Sequence, residues 1–312
     1  MGIAFVFPGQ GSQSVGMLAS LAAANPVVRE TFDVASGVLG YDLWALAQQG
    51  PAERLNQTEC TQPAMLAAGY ATYRAWQGQG GRVPDAVSGH SLGEFTALVV
   101  AGALDFATAI ELVQLRGRAM QESVPVGVGA IAAVLGLDDE AIEAACREAA
   151  QGEVVEPVNY NSPGQIVIAG HATAVARAIE AAKARGAKRA VPLPMSVPSH
   201  SSLMRPAAVR LGERLASAVI ETPRIPYFSA VDAGRHSDPD DIRTNLVTQA
   251  ASPVRWTATV VALLDAGYTT MVECGPGKVL TSLNRRIDKR SGTVFLALED
   301  PASIAAACAA TQ

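Results

Sequence analysis

The segment Gly89-His90-Ser91-Leu92-Gly93 matches the pattern G-x-S-x-G and separates two different kinds of sequence. The segment before it, residues 83–88, is short and includes β-branched side chains, which favours a strand. The segment after it, residues 93–104, is rich in small helix-forming side chains. A strand, a sharp turn and a helix are therefore predicted, with Ser91 at the turn. Free N–H groups and the helix dipole favour developing negative charge there. The segment predicts an α/β core that carries a nucleophilic serine.

The elements around this turn extend the same pattern in both directions along the chain. The turn is preceded by a predicted buried strand over 3–7 and a helix over 63–76, and it is followed by a helix over 106–122. After residue 196 the predicted elements are a helix over 203–220, a strand over 227–231, a helix over 254–266, a strand over 270–274 and a helix over 279–287, with 232–241 as a surface loop. This alternation is typical of a mainly parallel sheet. We predict an α/β-hydrolase-like core formed by residues 1–125 and 197–312.

The segment from 126 to 196 has a different order of predicted elements. Four strands are predicted over 130–135, 154–160, 165–169 and 188–193, and two helices over 138–150 and 173–185. Asp138 is the predicted N-cap of the first of these helices. The order βαββαβ is that of a ferredoxin-like unit. We therefore expect a small ferredoxin-like domain inserted at residues 126–196.

Composition limits the class of protein. Of the 312 residues, 49% are hydrophobic and 17% charged, against about 25% charged for an average globular chain, so a disordered chain is excluded. The net charge of −5 argues against non-specific nucleic-acid binding, which needs a basic surface. No apolar run reaches the ~18 residues of a membrane span, and the N-terminal sequence lacks the pattern of a secretory leader. The four cysteines are far apart and form no C-x-x-C motif, which favours free thiols and a cytoplasmic protein.

A serine nucleophile needs a base, and the chain has four histidines. His200 is the best candidate, because it lies where the chain returns to the α/β core. His90 neighbours the serine around a sharp turn, His171 lies at the end of a strand of the insert, and His236 falls in the predicted surface loop. An exposed loop histidine remains the alternative for His200. No acid between Ser91 and His200 stands out, and a backbone carbonyl can orient a histidine through its Nδ1–H instead.

Two further features are open to two interpretations each. The loop Gly9-Gln10-Gly11-Ser12-Gln13 fails the dinucleotide pattern because Ser14 stands where a third glycine belongs. It is either a tight turn or a loop whose backbone N–H groups approach a substrate oxygen. Arg116 lies in a helix that is apolar on one side and is followed by Gly117, which would allow another segment to approach closely. By itself it fits a surface arginine equally well.

Six segments, taken together and in order, resemble the malonyl-CoA:acyl carrier protein transacylases of bacterial fatty-acid synthesis. They are Phe7-Pro8-Gly9-Gln10-Gly11-Ser12-Gln13, Gly89-His90-Ser91-Leu92-Gly93-Glu94, Arg116-Gly117, Asn159-Tyr160-Asn161-Ser162-Pro163-Gly164-Gln165, Val197-Pro198-Ser199-His200 and Gly275-Pro276-Gly277-Lys278. The resemblance covers nearly the whole chain. One such motif is moderately specific, and six in series are highly specific.

The resemblance implies a role for eight residues. Ser91 is the nucleophile, His200 the general base and acid, Gln249 the main-chain carbonyl that orients His200, Gln10 and Leu92 the N–H donors of an oxyanion hole, Arg116 the partner of the malonyl carboxylate, and Asn161 and Gln62 residues of the substrate cleft. Arginine suits this role because its planar guanidinium binds a carboxylate through two hydrogen bonds. The implied reaction is ping-pong transfer from malonyl-CoA to the phosphopantetheine thiol of acyl carrier protein. No tightly bound cofactor and no metal are expected, and a monomer is expected.

Two other classes of protein remain as alternatives. A serine esterase or thioesterase would use the same turn and release free acid, but it would not need an arginine for a carboxylate. A non-catalytic docking subunit of a synthase would not need Ser91, His200 and Arg116 together. The strictness for malonyl over other acyl groups and the choice between fatty-acid and polyketide synthesis stay open at this stage.

Overall fold

The computed structural model describes residues 2–195 and 197–311, so Met1, the predicted boundary residue Ser196 and Gln312 lie outside the described part of the chain. Its strands, numbered along the chain, are β1 Ile3–Phe7, β2 Ala86–Gly89, β3 Gly129–Leu135, β4 Val155–Ser162, β5 Gln165–His171, β6 Arg189–Pro192, β7 Tyr227–Phe228, β8 Arg235–His236, β9 Thr270–Cys274 and β10 Val294–Leu298. Its helices are α1 Ala19–Ala24, α2 Pro26–Leu39, α3 Leu43–Gln49, α4 Ala52–Leu55, α5 Thr58–Gly78, α6 Gly93–Val100, α7 Phe106–Glu122, α8 Asp139–Ala150, α9 Ala172–Ala184, α10 Arg205–Ala216, α11 Pro239–Gln249, α12 Trp256–Asp265, α13 Val279–Ile287 and α14 Pro301–Ala310. A 3₁₀ turn over Ser202–Met204 precedes α10.

Six strands form one sheet in the order β10-β9-β1-β2-β7-β8. All neighbouring pairs are parallel except β7 and β8, so the prediction of a mainly parallel sheet in an α/β fold is confirmed. The central strand β1 is buried along its whole length. Its consecutive residues Phe5 and Val6 point to opposite faces of the sheet and belong to different apolar clusters. Burial on both faces explains why this strand is a continuous apolar run in the sequence.

The other four strands form an antiparallel sheet in the order β4-β5-β3-β6, and they follow one another along the chain as β3-α8-β4-β5-α9-β6. One face packs against α8 and α9 through residues such as Ala132 and Ile168. The opposite face is a separate apolar cluster that includes Ile131 and Val167. Successive side chains of a strand point to opposite faces, which is why adjacent residues enter different clusters. Asp138 caps α8 by accepting from Ala141 N, as predicted.

Several predicted boundaries differ from the structure. The helices over 106–122 and 279–287 and the strand over 270–274 have the predicted bounds. The helix predicted to begin at Pro63 begins at Thr58, because the Thr61 hydroxyl and N–H groups of the first turn bond to the preceding residues. The helix predicted to end at 104 ends at Val100, before Gly102 adopts positive φ. The helix predicted over 203–220 ends at Ala216.

Other elements were missed by the sequence patterns. The prediction of a surface loop over 232–241 is wrong, since β8 pairs with β7 there and the Asp238 side chain caps α11. Helices α1 to α4, most of α11, β10 and α14 were not predicted. The turn predicted over 161–164 is shorter, because β4 continues to Ser162 and pairs with Gln165.

Parallel pairing places the loops that follow β1 and β2 at one edge of the larger sheet. The last paired residues are Phe7 of β1 and Gly89 of β2. The carboxyl ends of parallel strands meet at the same edge, where α/β proteins commonly bind ligands. The glycine-rich loop after Phe7 and the turn at Ser91 therefore lie side by side.

Candidate active site

The turn at Ser91 depends on close backbone packing. Ser91 has φ 52°, the left-handed region that favours glycine, and α6 begins two residues later. A Cβ atom on Gly93 would lie 2.0 Å from the Phe7 carbonyl oxygen, and one on Gly89 would lie 1.9 Å from the Gly93 carbonyl carbon. Such distances are shorter than any non-bonded contact allows. The two glycines of the motif therefore let β1, β2 and α6 meet, and the serine protrudes where they meet.

His200 faces this serine from the loop between β6 and α10. Its imidazole is 4% exposed, and its backbone also has positive φ, at 67°. Nε2 lies 2.7 Å from Ser91 Oγ, and Nδ1 lies 2.8 Å from the main-chain oxygen of Gln249. A carbonyl oxygen only accepts hydrogen bonds, so Nδ1 carries the proton and Nε2 accepts from the serine hydroxyl. The geometry holds the imidazole in the tautomer of a general base.

The contact with Gln249 uses the end of a helix. Gln249 is the last residue of α11, and carbonyls in the last turn of a helix have no partner within the helix. The negative end of the helix dipole also favours a cationic imidazole there. Burial, together with the positive charge of Arg116, lowers the pKa of His200 to about 3. His200 is thus neutral at pH 7 in the free protein.

The loop that carries His200 is attached to the smaller sheet. Glu156 on β4 accepts hydrogen bonds from the Ser202 backbone N–H at 2.7 Å and from the Ser202 hydroxyl at 2.8 Å. A carboxylate that accepts two such bonds fixes both the position and the direction of the loop. The position of His200 therefore depends on the smaller sheet as well as on the end of α11.

Arg116 lies on α7 and is 1% exposed. Its Nη2 donates to Ser91 Oγ at 3.2 Å and to Gln249 Oε1 at 2.9 Å, and its Cζ lies 5.9 Å from the centre of the Phe95 ring. Its Nε is buried and has no hydrogen-bond partner in the described part of the chain. Burial lowers the pKa of Arg116 to about 10, which leaves it protonated at pH 7. The surface-arginine interpretation is wrong, and a cation with unused donor capacity lies beside the serine.

One cavity of about 510 Å³ joins these groups. Of the eight predicted site residues, all except Gln249 line it. Gln62 donates through Nε2 to Met120 Sδ at 3.5 Å, and its buried Oε1 lacks a partner among residues 2–195 and 197–311. Asn161 Oδ1 lies 2.9 Å from His90 Nε2, a contact between the smaller sheet and the serine turn. Apolar side chains complete the walls: Ile131 and Val167 from the smaller sheet, Leu193 directly after β6, and Leu280 and Leu283 from α13.

Gln10 and Leu92 lie at the cavity on either side of the serine turn. Across the described ranges, neither backbone N–H donates to a protein acceptor. The Gln10 side chain is held by a contact of Nε2 with Met195 Sδ at 3.6 Å. Two uncommitted N–H donors next to a nucleophile are the groups that stabilise an oxyanion in acyl transfer.

The remaining histidines have local partners elsewhere. His171 accepts from the Val154 backbone N–H at 2.9 Å, and His236 lies 3.0 Å from Asp232. Neither lines the cavity. His90 contacts Asn161 with the ring nitrogen that would otherwise be free for catalysis. Of the four histidines, His200 alone bonds to the serine hydroxyl.

Two carboxylates at this site were missed by the sequence patterns, Glu94 and Glu156. Glu94 is 1% exposed and bonds to the Gln249 side chain. The sequence did contain an indication of a role for Glu94, because it is the only charged residue in the otherwise uncharged segment that forms α6. Glu156 carried no comparable signal, because acids are frequent on the surface of a small α/β domain.

The described ranges contain no helix long and apolar enough to cross a membrane. They also contain no cluster of three or more His, Cys, Asp or Glu side chains suited to holding a metal ion. All four cysteines are buried as free thiols.

Comparison with known proteins places this geometry in context. Residues 4–293 match the family model described as acyl transferase domain. A malonyl CoA-acyl carrier protein transacylase of Escherichia coli K12 is 57% identical over 305 residues, which are 97% of this chain and 98% of the relative. The structure of such a transacylase from Coxiella burnetii superposes with TM-score 0.98 at 48% identity and covers 100% of this chain and 98% of that one. A malonyl-transacylase solved in complex with a type II PKS acyl-carrier protein superposes with TM-score 0.97 at 53% identity, covering 99% of this chain and 100% of that one.

Proposed function

The chain belongs to the acyl transferase domain family, and from this membership we propose that it transfers a malonyl group from malonyl-CoA to the phosphopantetheine thiol of acyl carrier protein. It is an acyltransferase by family, and we infer that its product supplies fatty-acid chain elongation. The observation that carries the assignment is the 3.2 Å contact between Arg116 Nη2 and Ser91 Oγ inside the cavity. An acyl group on Ser91 that ends in a carboxylate would have that carboxylate beside a buried guanidinium.

In the first half of the reaction, His200 Nε2 takes the proton of the Ser91 hydroxyl as Oγ attacks the thioester carbonyl carbon. The carbonyl oxygen becomes an oxyanion, to which the N–H groups of Gln10 and Leu92 donate. Collapse of this intermediate breaks the C–S bond, and the CoA thiolate leaves with the proton held by His200. The product is malonyl-Ser91 and free CoA. The Gln249 carbonyl keeps the imidazole oriented through both proton transfers.

In the second half, the phosphopantetheine thiol of acyl carrier protein takes the place of CoA. His200 removes its proton, and the sulfur attacks the ester carbonyl of malonyl-Ser91. The same two N–H donors bind the second oxyanion, and the Ser91 oxygen leaves with the proton from His200. The bonds that form and break in these steps involve malonyl-CoA, the carrier thiol, Ser91 and His200, so the scheme uses no tightly bound cofactor.

Selection of the acyl group rests on charge. Arg116 is buried, so a terminal carboxylate that pairs with it gains an interaction stronger than the same pair in water. An acetyl group leaves the guanidinium without that partner. Gln62 and Asn161 line the same cavity with their side-chain amides. Preference for a dicarboxylic acyl group follows from these contacts.

We also infer a division of the chain into a core, residues 1–125 and 197–312, and an inserted ferredoxin-like subdomain at 126–196. The element order of the insert, its strand order β4-β5-β3-β6 and its separate apolar cluster against α8 and α9 support this division. The core supplies Ser91, Arg116 and Gln249, and the insert supplies apolar walls together with Asn161.

The decisive experiment is mass spectrometry of the intact protein after brief exposure to malonyl-CoA. A single malonyl adduct that maps to Ser91, is absent from Ser91→Ala and disappears on addition of holo acyl carrier protein supports the assignment. Label recovered on the carrier protein establishes transfer. Free malonate with an unlabelled carrier protein would instead show a thioesterase, and unchanged transfer by Ser91→Ala would show a different nucleophile.

A further inference from the structure

A buried carboxylate that the reaction scheme does not use lies in the first turn of α6. Glu94 is 1% exposed and follows the nucleophile by three residues. Its Oε1 accepts from Gln249 Nε2 at 2.7 Å, and its Oε2 accepts from the Tyr227 hydroxyl. Burial raises the pKa of Glu94, and the hydrogen bonds from Tyr227 and Gln249 counteract that rise. A buried carboxylate is costly unless it is well bonded, so its contacts identify what it stabilises.

The Gln249 side chain connects this carboxylate to the nucleophile and to the arginine. Its Nε2 donates to Glu94 Oε1 and to the Ser91 main-chain oxygen at 2.9 Å, and its Oε1 accepts from Arg116 Nη2 at 2.9 Å. The opposite orientation of the amide would place NH₂ against the guanidinium and oxygen against the two acceptors. An ionised carboxylate only accepts hydrogen bonds, so Glu94, together with the Ser91 main-chain oxygen, favours the observed orientation, and in the described part of the chain Glu94 is the only charged group that accepts from this amide.

The orientation of this amide determines what Arg116 can do. With Gln249 Oε1 as one acceptor, Nη2 is held 3.2 Å from Ser91 Oγ, in the cavity that an acyl group on Ser91 would enter. The negative charge of Glu94 also opposes the loss of the Arg116 proton that burial favours. Glu94 thus acts on the arginine in two ways, through the amide and through its charge.

We propose that Glu94 is a positioning residue for the acyl group: through the Gln249 side-chain amide it orients Arg116 toward the group carried by Ser91 and so sets the preference for a terminal carboxylate. This inference rests on the proposed transferase function. It assigns to Gln249 a second contact, separate from the main-chain contact with His200. It also assigns a function to the one charged side chain of α6.

The test compares the full chain with Glu94→Gln, which keeps the size of the side chain and removes its charge. Rates of Ser91 acylation by malonyl-CoA and by acetyl-CoA are measured by rapid quench and intact mass. The substitution replaces the charged acceptor of the Gln249 amide by a neutral one, and this weakening of the hydrogen bond corresponds to about a tenfold change. We expect kcat/KM for malonyl-CoA to fall by about tenfold or more, mainly through KM, with a much smaller change for acetyl-CoA. An equal fall for both donors, or no change for either, overturns the proposal.

A double variant makes the test specific. Glu94→Gln added to Arg116→Ala should not lower the malonyl-to-acetyl ratio further, because the residue it positions is gone. A further fall of the same size would show that Glu94 acts independently of Arg116. If Glu94→Gln does not fold, Gln249→Met decides the question, since it removes the amide and keeps the main-chain carbonyl. Its malonyl-to-acetyl ratio must fall, and an unchanged ratio overturns the proposal.

Failure of this inference is distinguishable from failure of the proposed function. If the unmodified chain forms no malonyl adduct on Ser91, the transferase assignment is wrong whatever the variants do. If the adduct forms and the ratio is insensitive to Glu94, the assignment stands and only the positioning role is lost.

Discussion

Ser91 and His200 bond to each other through side chains carried on left-handed backbone, with φ 52° and 67°, at 2.7 Å between Oγ and Nε2. A residue with a Cβ atom in this region costs about 1–2 kcal/mol relative to right-handed backbone. Both partners of the bond therefore occupy strained positions that the surrounding packing maintains. Strain of this kind concentrates at functional sites.

The strain at Ser91 predicts an unusual order of stability for two inactive variants. Ser91→Gly should be more stable than Ser91→Ala, with a free energy of unfolding higher by about 0.5–1 kcal/mol. This difference is the relieved strain less the entropic cost of glycine. Urea titrations followed by circular dichroism measure the difference. Ser88 on the adjacent strand is the control, and there glycine should be the less stable of the two. A Ser91→Ala variant as stable as Ser91→Gly would contradict strain at this position.

The pKa of His200 predicts activity at acidic pH. Because burial and Arg116 lower that pKa to about 3, the imidazole stays neutral as pH falls from 7.5 to 5, whereas an ordinary histidine is mostly protonated at pH 5. Modification of Ser91 by a neutral fluorophosphonate, measured against pH, reports this value in the free protein. The rate should change little over that range. Arg116→Ala removes a nearby positive charge and should move the acid limb upward, and a downward shift would contradict the stated cause.

Substitution of Arg116 should remove the preference for malonyl-CoA while acyl transfer to Ser91 continues. Arg116→Ala should reduce kcat/KM for malonyl-CoA by about 100-fold, as expected for loss of a buried charge-assisted pair, with acetyl transfer kept or increased. Arg116→Lys keeps the charge but not the planar fork, so it should recover only part of the loss. Acylation of Ser91 by each donor provides the measurement. Retained malonyl preference in the alanine variant would refute the role.

Substitution of Glu156 should slow acylation by both donors, whereas substitution of Glu94 should change the preference between them. Because it anchors Ser202 and with it the loop of His200, Glu156→Ala should slow acylation by about tenfold for malonyl-CoA and acetyl-CoA alike, mainly through kcat. Glu153→Ala is the matched control, since Glu153 bonds to Thr173 and Arg177 within the same sheet and its helices. A change in the donor ratio for Glu156→Ala would show that this residue affects acyl selection.

Gly117 predicts a packing defect beside the arginine. A Cβ there would lie 2.6 Å from the Thr58 oxygen and 2.8 Å from the Glu59 Cα, both backbone atoms. Gly117→Ala should destabilise the fold by about 1–3 kcal/mol because the backbone of one of the two helices would have to shift to make room for the methyl group. Gly37→Ala, at an exposed helical position with open space, should instead stabilise by about 0.5–1 kcal/mol. Denaturant titration of both variants tests the contrast, and equal effects would contradict it.

Sequence reasoning reached the parts of the fold and site that local patterns encode. The alternation of strands and helices, the cap at Asp138 and the turn at Ser91 all follow from neighbouring residues. It failed at 232–241, where Arg235 and His236 form a short strand by pairing with Phe228 and Tyr227 in a local hairpin of mostly polar sequence. It also did not predict α1 to α4, although α2 buries Val28, Thr31, Phe32 and Ala35 at helical spacing.

At the site, side chains that carry a chemical signature were found and those that work through a partner were not. Ser91 and His200 belong to motifs, whereas the anchoring contact of Glu156 arises only when β4 meets the loop of Ser202. The contact of the Gln249 side chain with Arg116 spans 133 positions of sequence. No local pattern records such a contact, because it depends on where α11 ends relative to α7.

The two faces of the smaller sheet belong to separate apolar clusters, and this has a consequence for how the enzyme can diversify. Ala132 and its neighbours hold the sheet to its helices, while Ile131, Val167 and Leu193 face the cavity. A substitution on the cavity face changes the room available to an acyl group without disturbing the cluster that keeps the sheet folded. The size of the cavity can therefore be altered from this sheet while the serine, the histidine and their supporting helices stay in place.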